Sequence, residues 1–208
     1  MRLVADNLAV ARGGRRLIDG VSFVVDAGQA LVLTGPNGVG KTTLLRALAG
    51  LITPAAGTIR LDGASGDATI GERAHYVSHA NAVKAGLTVR ENTRFWAHFL
   101  GDGTASVEDA LEAIGLDDIA SVPAGYLSAG QKRRLGLARL LLAARPLWLL
   151  DEPTVSLDAA SQAWLARLMQ AHLDGGGILV AATHAPLGLA NARTLALAAP
   201  ALGEDVAS

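Results

Sequence analysis

The chain has 208 residues, half of them hydrophobic and 18% charged, enough for one compact α/β domain or one with a small inserted lobe. Aromatics make up 4%, so aliphatic side chains build the core, and a net charge of −1 gives no electrostatic reason to expect a nucleic-acid partner. The absence of cysteine excludes disulfides, thiolate chemistry and cysteine metal sites, and it fits a reducing compartment.

In chain order, the first sixty residues read as short strands and turns. An apolar strand, "ALVLT" (Ala30–Thr34), enters a glycine-rich loop and then a helix ending at Gly50, which suits the position after a helix C-terminus. "GTIRLDG" (Gly57–Gly63) alternates between glycines and predicts an edge strand or hairpin arm. The stretch from about 75 to 125 carries helix signals instead. "TVRE" (Thr88–Glu91) matches a capping box, and a second helix is expected over Ser106–Ile114.

From Gln131 a further helix shows Leu137, Leu140, Leu141 and Ala144 at i, i+3, i+4 and i+7, with Ser128 placed as its cap. Its first turn carries Lys132, Arg133 and Arg134, at the end whose dipole disfavours cations. "PLWLLDEP" predicts a short buried strand stopped by Pro153, and "GILVAATH" another, opened by the glycines at 175–177. Strands alternating with helices argue for a mostly parallel sheet. Asp6 and Arg12 interrupt the N-terminal apolar stretch, so no signal peptide is expected. The most apolar windows, Leu135–Leu150 and Ile178–Ala192, are broken well short of the ~18 apolar residues a membrane span needs. A soluble chain able to dock on a membrane protein is expected.

"GPNGVGKT" (Gly35–Thr42) fits G-x-x-x-x-G-K-[ST] between a strand and a helix. Its glycines let backbone N–H groups turn inward around a phosphate, and the helix N-terminus adds a favourable dipole. The candidate phosphate-binding residues are Gly35, Pro36, Asn37, Gly38, Val39, Gly40, Lys41, Thr42 and Thr43. Lys41 can reach the β- and γ-phosphates, and the Thr42 hydroxyl suits Mg²⁺. "LWLLDE" places Asp151 and Glu152 at the end of an apolar strand, where open α/β sheets bind ligands. Asp151 suits the Mg²⁺ shell, and Glu152 the water that attacks a γ-phosphate.

"LSAGQ" (Leu127, Ser128, Ala129, Gly130, Gln131) closely resembles the signature of ATP-binding cassette proteins, usually LSGGQ. "VSLD" resembles their D-loop (Ser156, Leu157, Asp158), and "ATH" ends in His184 at the switch-histidine position. The resemblance implies a P-loop ATPase with a mostly parallel core sheet, an antiparallel β arm and a helical lobe. That makes one domain over 1–208, with a core at about 1–75 and 126–208 and the lobe at about 76–125. It also implies Mg·ATP, with Glu152 and His184 catalytic, and head-to-tail pairing with a second copy. Ser128 and the Gly130 N–H would then meet the ATP of the partner subunit. A phosphate role for Lys132, Arg133 and Arg134 is conjecture; solvation is expected for at least one of them.

Two departures stand out. Family members stack an aromatic on adenine near the position of Arg12, where either cation–π stacking or a plain surface turn is open. The family's Q-loop glutamine should follow "HYVSH", yet Ala80 stands there, leaving Asn81 or His79 as the substitute, or a different coupling.

"LTVRENTRFWAHFLG" and "YLSAGQKRRLGLARLLL" resemble the ATP-binding subunits of bacterial cytochrome c maturation haem exporters. That likeness implies a peripheral subunit on the cytoplasmic face of the inner membrane. Its partners would be small polytopic membrane subunits and, indirectly, a haem chaperone, with no nucleic acid. Phe95, Trp96 and Phe99 serve either lobe packing or the groove that receives a membrane subunit. The alternatives are another ABC importer or exporter and, below it, a soluble cassette ATPase of DNA repair, chromosome organisation or translation.

Overall fold

A computed structural model describes residues 1–198 apart from 14, 65, 102 and 104; the side chains of 12 and 15 also lie outside the described set. Its elements in chain order are strands β1 (Arg2–Arg12), β2 (Arg15–Asp26) and β3 (Ala30–Thr34), helix α1 (Lys41–Leu48), and strands β4 (Ala56–Asp62) and β5 (Ala74–Val77). Helices α2 (Val89–Leu100), α3 (Val107–Ala113), α4 (Ala129–Leu137) and α5 (Arg139–Leu142) follow. Strand β6 (Leu147–Asp151), helix α6 (Ala159–Asp174) and strands β7 (Ile178–Ala182) and β8 (Arg193–Ala196) complete the chain. Among the described residues, one sheet runs β5-β6-β7-β3-β8 with every pair parallel, and a second runs β2-β1-β4 with both pairs antiparallel.

The parallel sheet dictates where chemistry can gather. Because β3, β5, β6 and β7 point the same way, the residues following each of them meet at one edge. Strand β6 is buried throughout, with Leu147 and Leu149 packing into the cluster beneath α1 and Trp148 and Leu150 into the cluster beneath α6. Burial on both faces is why its sequence reads as an unbroken apolar run. On α6, Leu165, Met169 and Leu173 form the buried stripe that closes the second layer.

β1 and β2 are single long strands of 11 and 12 residues, not the short strands predicted. Leu3 and Ala5 are buried, then Leu8 and Val10, so the alternation slips by one at Asp6–Asn7. The pairing register shifts there, and Asn7 has φ +47°. A bulge of this kind makes one strand look like two.

The capping boxes at Thr88/Glu91 and Ser106/Asp109 both form, starting α2 and α3 where expected. The helix expected from Gln131 begins two residues earlier, because Ser128 caps it and Gln131 folds back onto the Ser128 N–H. Nor does it reach Ala144: Ala143 is already extended (φ −145°, ψ 138°), its carbonyl accepting from the His75 ring at 2.8 Å. β5 and β8, four residues each, carried too little pattern to be predicted.

Candidate nucleotide site

The loop after β3 is shaped by glycines at two points that admit no side chain. A Cβ on Gly35 (φ +132°) would lie 2.5 Å from the Leu197 carbonyl oxygen, and one on Gly40 (φ +112°) would lie 2.8 Å from Ile18 Cδ1. Gly40 stands at the N-cap of α1 without a side-chain cap, so the first N–H groups of the helix face the loop. Lys41 is 9% exposed and folds over that loop, donating to Gly35 O (2.7 Å) and Pro36 O (3.1 Å). Thr42 Oγ1 donates to Asp151 Oδ2 at 2.9 Å, joining the loop to the end of β6.

Asp151 is 4% exposed, and burial raises its carboxyl above the ordinary range, partly offset by the Thr42 hydrogen bond. Glu152 takes φ +46°, left-handed for a non-glycine residue, at a cost of about 1–3 kcal/mol. Its N–H donates to Ala182 O at 2.8 Å, and its carboxylate lies 3.8 Å from His184 Nε2. That same nitrogen is 3.1 Å from Lys41 Nζ and 3.0 Å from Asn37 Oδ1. That ring nitrogen either accepts from Lys41 or donates to Asn37 Oδ1, according to the tautomer.

A cavity of about 370 Å³ opens here, walled by the loop with Leu17, His79, Asp151 and Glu152. Roomier cavities of about 480 and 580 Å³ lie elsewhere, but neither is lined by a carboxylate. Donor chemistry, not size, marks the site. His79 therefore reaches this cavity, whereas Asn81 turns its Oδ1 to Arg133 Nη1 at 3.1 Å. Leu17 had no sequence signal. Arg12 ends β1, and its side chain lies outside the described residues.

Signature residues 127–131 do not wall this cavity in the same chain. Leu127 is buried, Ser128 Oγ accepts the Gln131 N–H at 3.2 Å, and a Cβ on Gly130 would lie 2.8 Å from Ser156 O. In the D-loop, Ser156 has φ +65°, Leu157 is buried and Asp158 caps α6.

Each of the three cations has partners in its own chain. Lys132 donates to Gly125 O at 3.1 Å, and Arg134 to Ile114 O (2.5 Å) and Gly115 O (3.1 Å). Arg133 is 3% exposed and donates to five oxygens. Backbone carbonyls of the same chain thus offset much of the dipole's disfavour. On α2, Phe95 and Phe99 are exposed, with Lys84 over the Phe95 ring and Arg139 over Trp96.

Residues 18–155 match the family model described as ABC transporter. The chain is 54% identical over 190 residues to the cytochrome c biogenesis ATP-binding export protein CcmA of Nitrobacter winogradskyi, covering 91% of this chain and 95% of that protein. It is 52% identical to the protein of the same name from Rhodopseudomonas palustris, covering 97% and 100%. A solved structure from Pyrococcus furiosus, assigned as an ABC transporter ATP-binding protein, superposes with TM-score 0.80 at 25% identity, over 95% of this chain and 98% of that one. The chain belongs to the ABC transporter family, as an ATP-binding ATPase of the cytochrome c biogenesis export group.

Proposed function

We propose that this chain is the ATP-hydrolysing subunit of an exporter for cytochrome c maturation, driving haem export or release of a haem-loaded chaperone. One observation carries the catalytic part of the reading: Lys41, Thr42, Asp151, Glu152 and His184 converge at the carboxyl edge of one parallel sheet. The loop N–H groups and Lys41 bind the β- and γ-phosphates, Glu152 takes a proton from the attacking water, and His184 holds the γ-phosphate side through Asn37 and Lys41.

Mg²⁺ fits the donor set. Thr42 Oγ1 and Asp151 Oδ2 are hard oxygen ligands, and a divalent cation would favour the ionised form that burial disfavours in Asp151. When bound, the ion supplies positive charge at the phosphate oxygens.

The signature does not wall the nucleotide cavity of its own chain, which supports a head-to-tail pair in which Ser128 and Gly130 meet the ATP of a second copy. The whole chain then acts as one cassette, its α2–α3 lobe carrying the contact to polytopic membrane subunits at the inner face of the bacterial membrane. Among the described residues no helix is long and apolar enough to cross a membrane, which suits a peripheral subunit. Phe99 is 68% exposed and is a cleaner probe of that contact than Trp96, which covers Arg139. Phe99→Asp should release the chain from membranes while sparing ATP binding.

The test is a gentle pull-down from solubilised membranes with identification of partners and a haem absorbance scan. Small polytopic subunits with a haem chaperone support the reading; a larger permease with a solute-binding protein would keep the ATPase and discard haem.

A further inference from the structure

We propose that Arg133 is the positioning residue that ties the 78–81 segment to the Glu152 carboxylate, the link for which this chain lacks a glutamine. The inference rests on the ATPase reading above. Its first support is complete use of the guanidinium. Nε donates to Pro153 O (3.1 Å), Nη1 to Ser78 O (2.9 Å) and Asn81 Oδ1 (3.1 Å), and Nη2 to Asp151 O (3.1 Å) and Glu152 O (2.8 Å). A guanidinium has five N–H donors, and all five are placed. The group is buried, so water does not compete for these oxygens.

Its second support is what those oxygens belong to. Asp151, Glu152 and Pro153 present three successive carbonyls to one planar cation, a convergence that the left-handed φ of Glu152 allows. The Glu152 N–H is already fixed on Ala182 O. A shift of the guanidinium therefore acts on the peptides on both sides of Glu152, the earlier of them also held by Ala182 O, and so on the backbone that carries the carboxylate beside His184.

The other end of the clamp is the segment after β5. It lies against α4 without slack, since a Cβ on Gly136 would come within 2.8 Å of Asn81 O. Further along, Lys84 N and O are both held by the Asn92 side chain of α2, at 2.8 and 3.0 Å. A displacement of α2, which carries the exposed Phe95 and Phe99, thus reaches Lys84, then Asn81, then Arg133 and Glu152. Each step is a hydrogen bond or a stretch of continuous backbone. Lysine cannot replace Arg133 here, because an ammonium has three donors and no planar fork.

A spatial route is not yet a coupling, and a double-mutant cycle supplies that evidence. Arg133→Lys, Asn81→Ala and the double variant are made in the full chain and assayed with the membrane partners that co-purify. Arg133→Lys should lower kcat for ATP by about 10- to 100-fold, with KM within about threefold. Asn81→Ala should lower kcat less, and should add nothing in the Arg133→Lys background. Hydrogen exchange should speed up together at 78–83 and 151–156 in both single variants.

Wild-type kcat per folded molecule in Arg133→Lys, or independent multiplication of the two effects, overturns the proposal. If Arg133→Lys does not fold, Asn81→Ala decides: unchanged kcat and unchanged exchange at 151–156 overturn it. A wild-type complex that hydrolyses no ATP would overturn the ATPase reading instead, and the paired exchange at the two segments would still decide the role of Arg133.

Discussion

Six positions apart, Arg133 and Arg139 are both buried, yet they sit in two regions built on opposite terms. At the carboxyl edge of the parallel sheet, Arg133 has an acceptor for every donor. On the face formed by β5, α2 and α5, Arg139 lies 5.0 Å from the Trp96 ring centroid, and its Nε and Nη2 meet no acceptor among the described residues. Burial lowers the pKa of both; for Arg139, with Arg133 as a neighbouring like charge, it falls to about 10. The first region is finished by the chain's own backbone. The second is underpaired beneath a cluster of partly exposed aromatics.

The largest expected effect tests whether the finished region is catalytic. Glu152→Gln should cut ATP hydrolysis by about 10²- to 10⁴-fold while retaining ATP binding, and should accumulate an ATP-bound dimer on gel filtration. Wild-type turnover would remove Glu152 from the role of base. Next, the arginines should respond oppositely to an apolar replacement. Arg133→Met strands several buried oxygens, each worth about 1–3 kcal/mol, so a loss of at least about 3 kcal/mol is expected in urea titrations at constant m. Arg139→Met gives up a cation–π contact but also removes two nitrogens without acceptors among the described residues, so a change within about 1 kcal/mol is expected. Equal losses would break the comparison.

Acid should probe the β5 face. His75 is buried between Trp148 and the Ala143 carbonyl, and desolvation lowers its pKa to about 4. The folded state refuses a proton that the unfolded chain takes up near 6.5, so stability is full above that pH. It falls as pH drops from 6.5 to about 4, by about 3 kcal/mol, and then levels off for this group. Unfolding of His75→Gln between pH 7 and 4 should show a shallower acid slope than the wild type.

Much of the first region was legible because its residues are tied to strand ends. Glycines, a lysine and paired carboxylates at fixed offsets from apolar runs leave few other structures to choose from. The Arg133 clamp was only half legible. Three cations at a helix start were a visible anomaly, but the oxygens that answer Arg133 are, apart from Asn81 Oδ1, backbone carbonyls 18 to 55 positions away, and a carbonyl has no letter of its own. The same clamp holds the Asn81 side chain, while His79 lines the cavity. β1 was misread for a different reason: its bulge at Asn7 reverses the alternation that strand reading depends on.

The smallest effect separates two duties of Ser128, at the start of the helix that carries Arg133. Its hydroxyl caps the Gln131 N–H, while Gln131 Oε1 accepts the Ser128 N–H at 2.8 Å, a bond that survives truncation of the serine. Ser128→Ala should therefore cost only about 1 kcal/mol of stability. Aspartate caps as well as serine does, so Ser128→Asp should leave stability near the wild-type value. Across the proposed dimer the ranking inverts. Alanine removes one ligand to the partner's ATP, whereas aspartate sets a negative charge against a triphosphate. If ATP-driven dimerisation follows the stability order, Ser128 is a cap alone; if aspartate abolishes dimerisation while keeping the fold, the helix start meets phosphate.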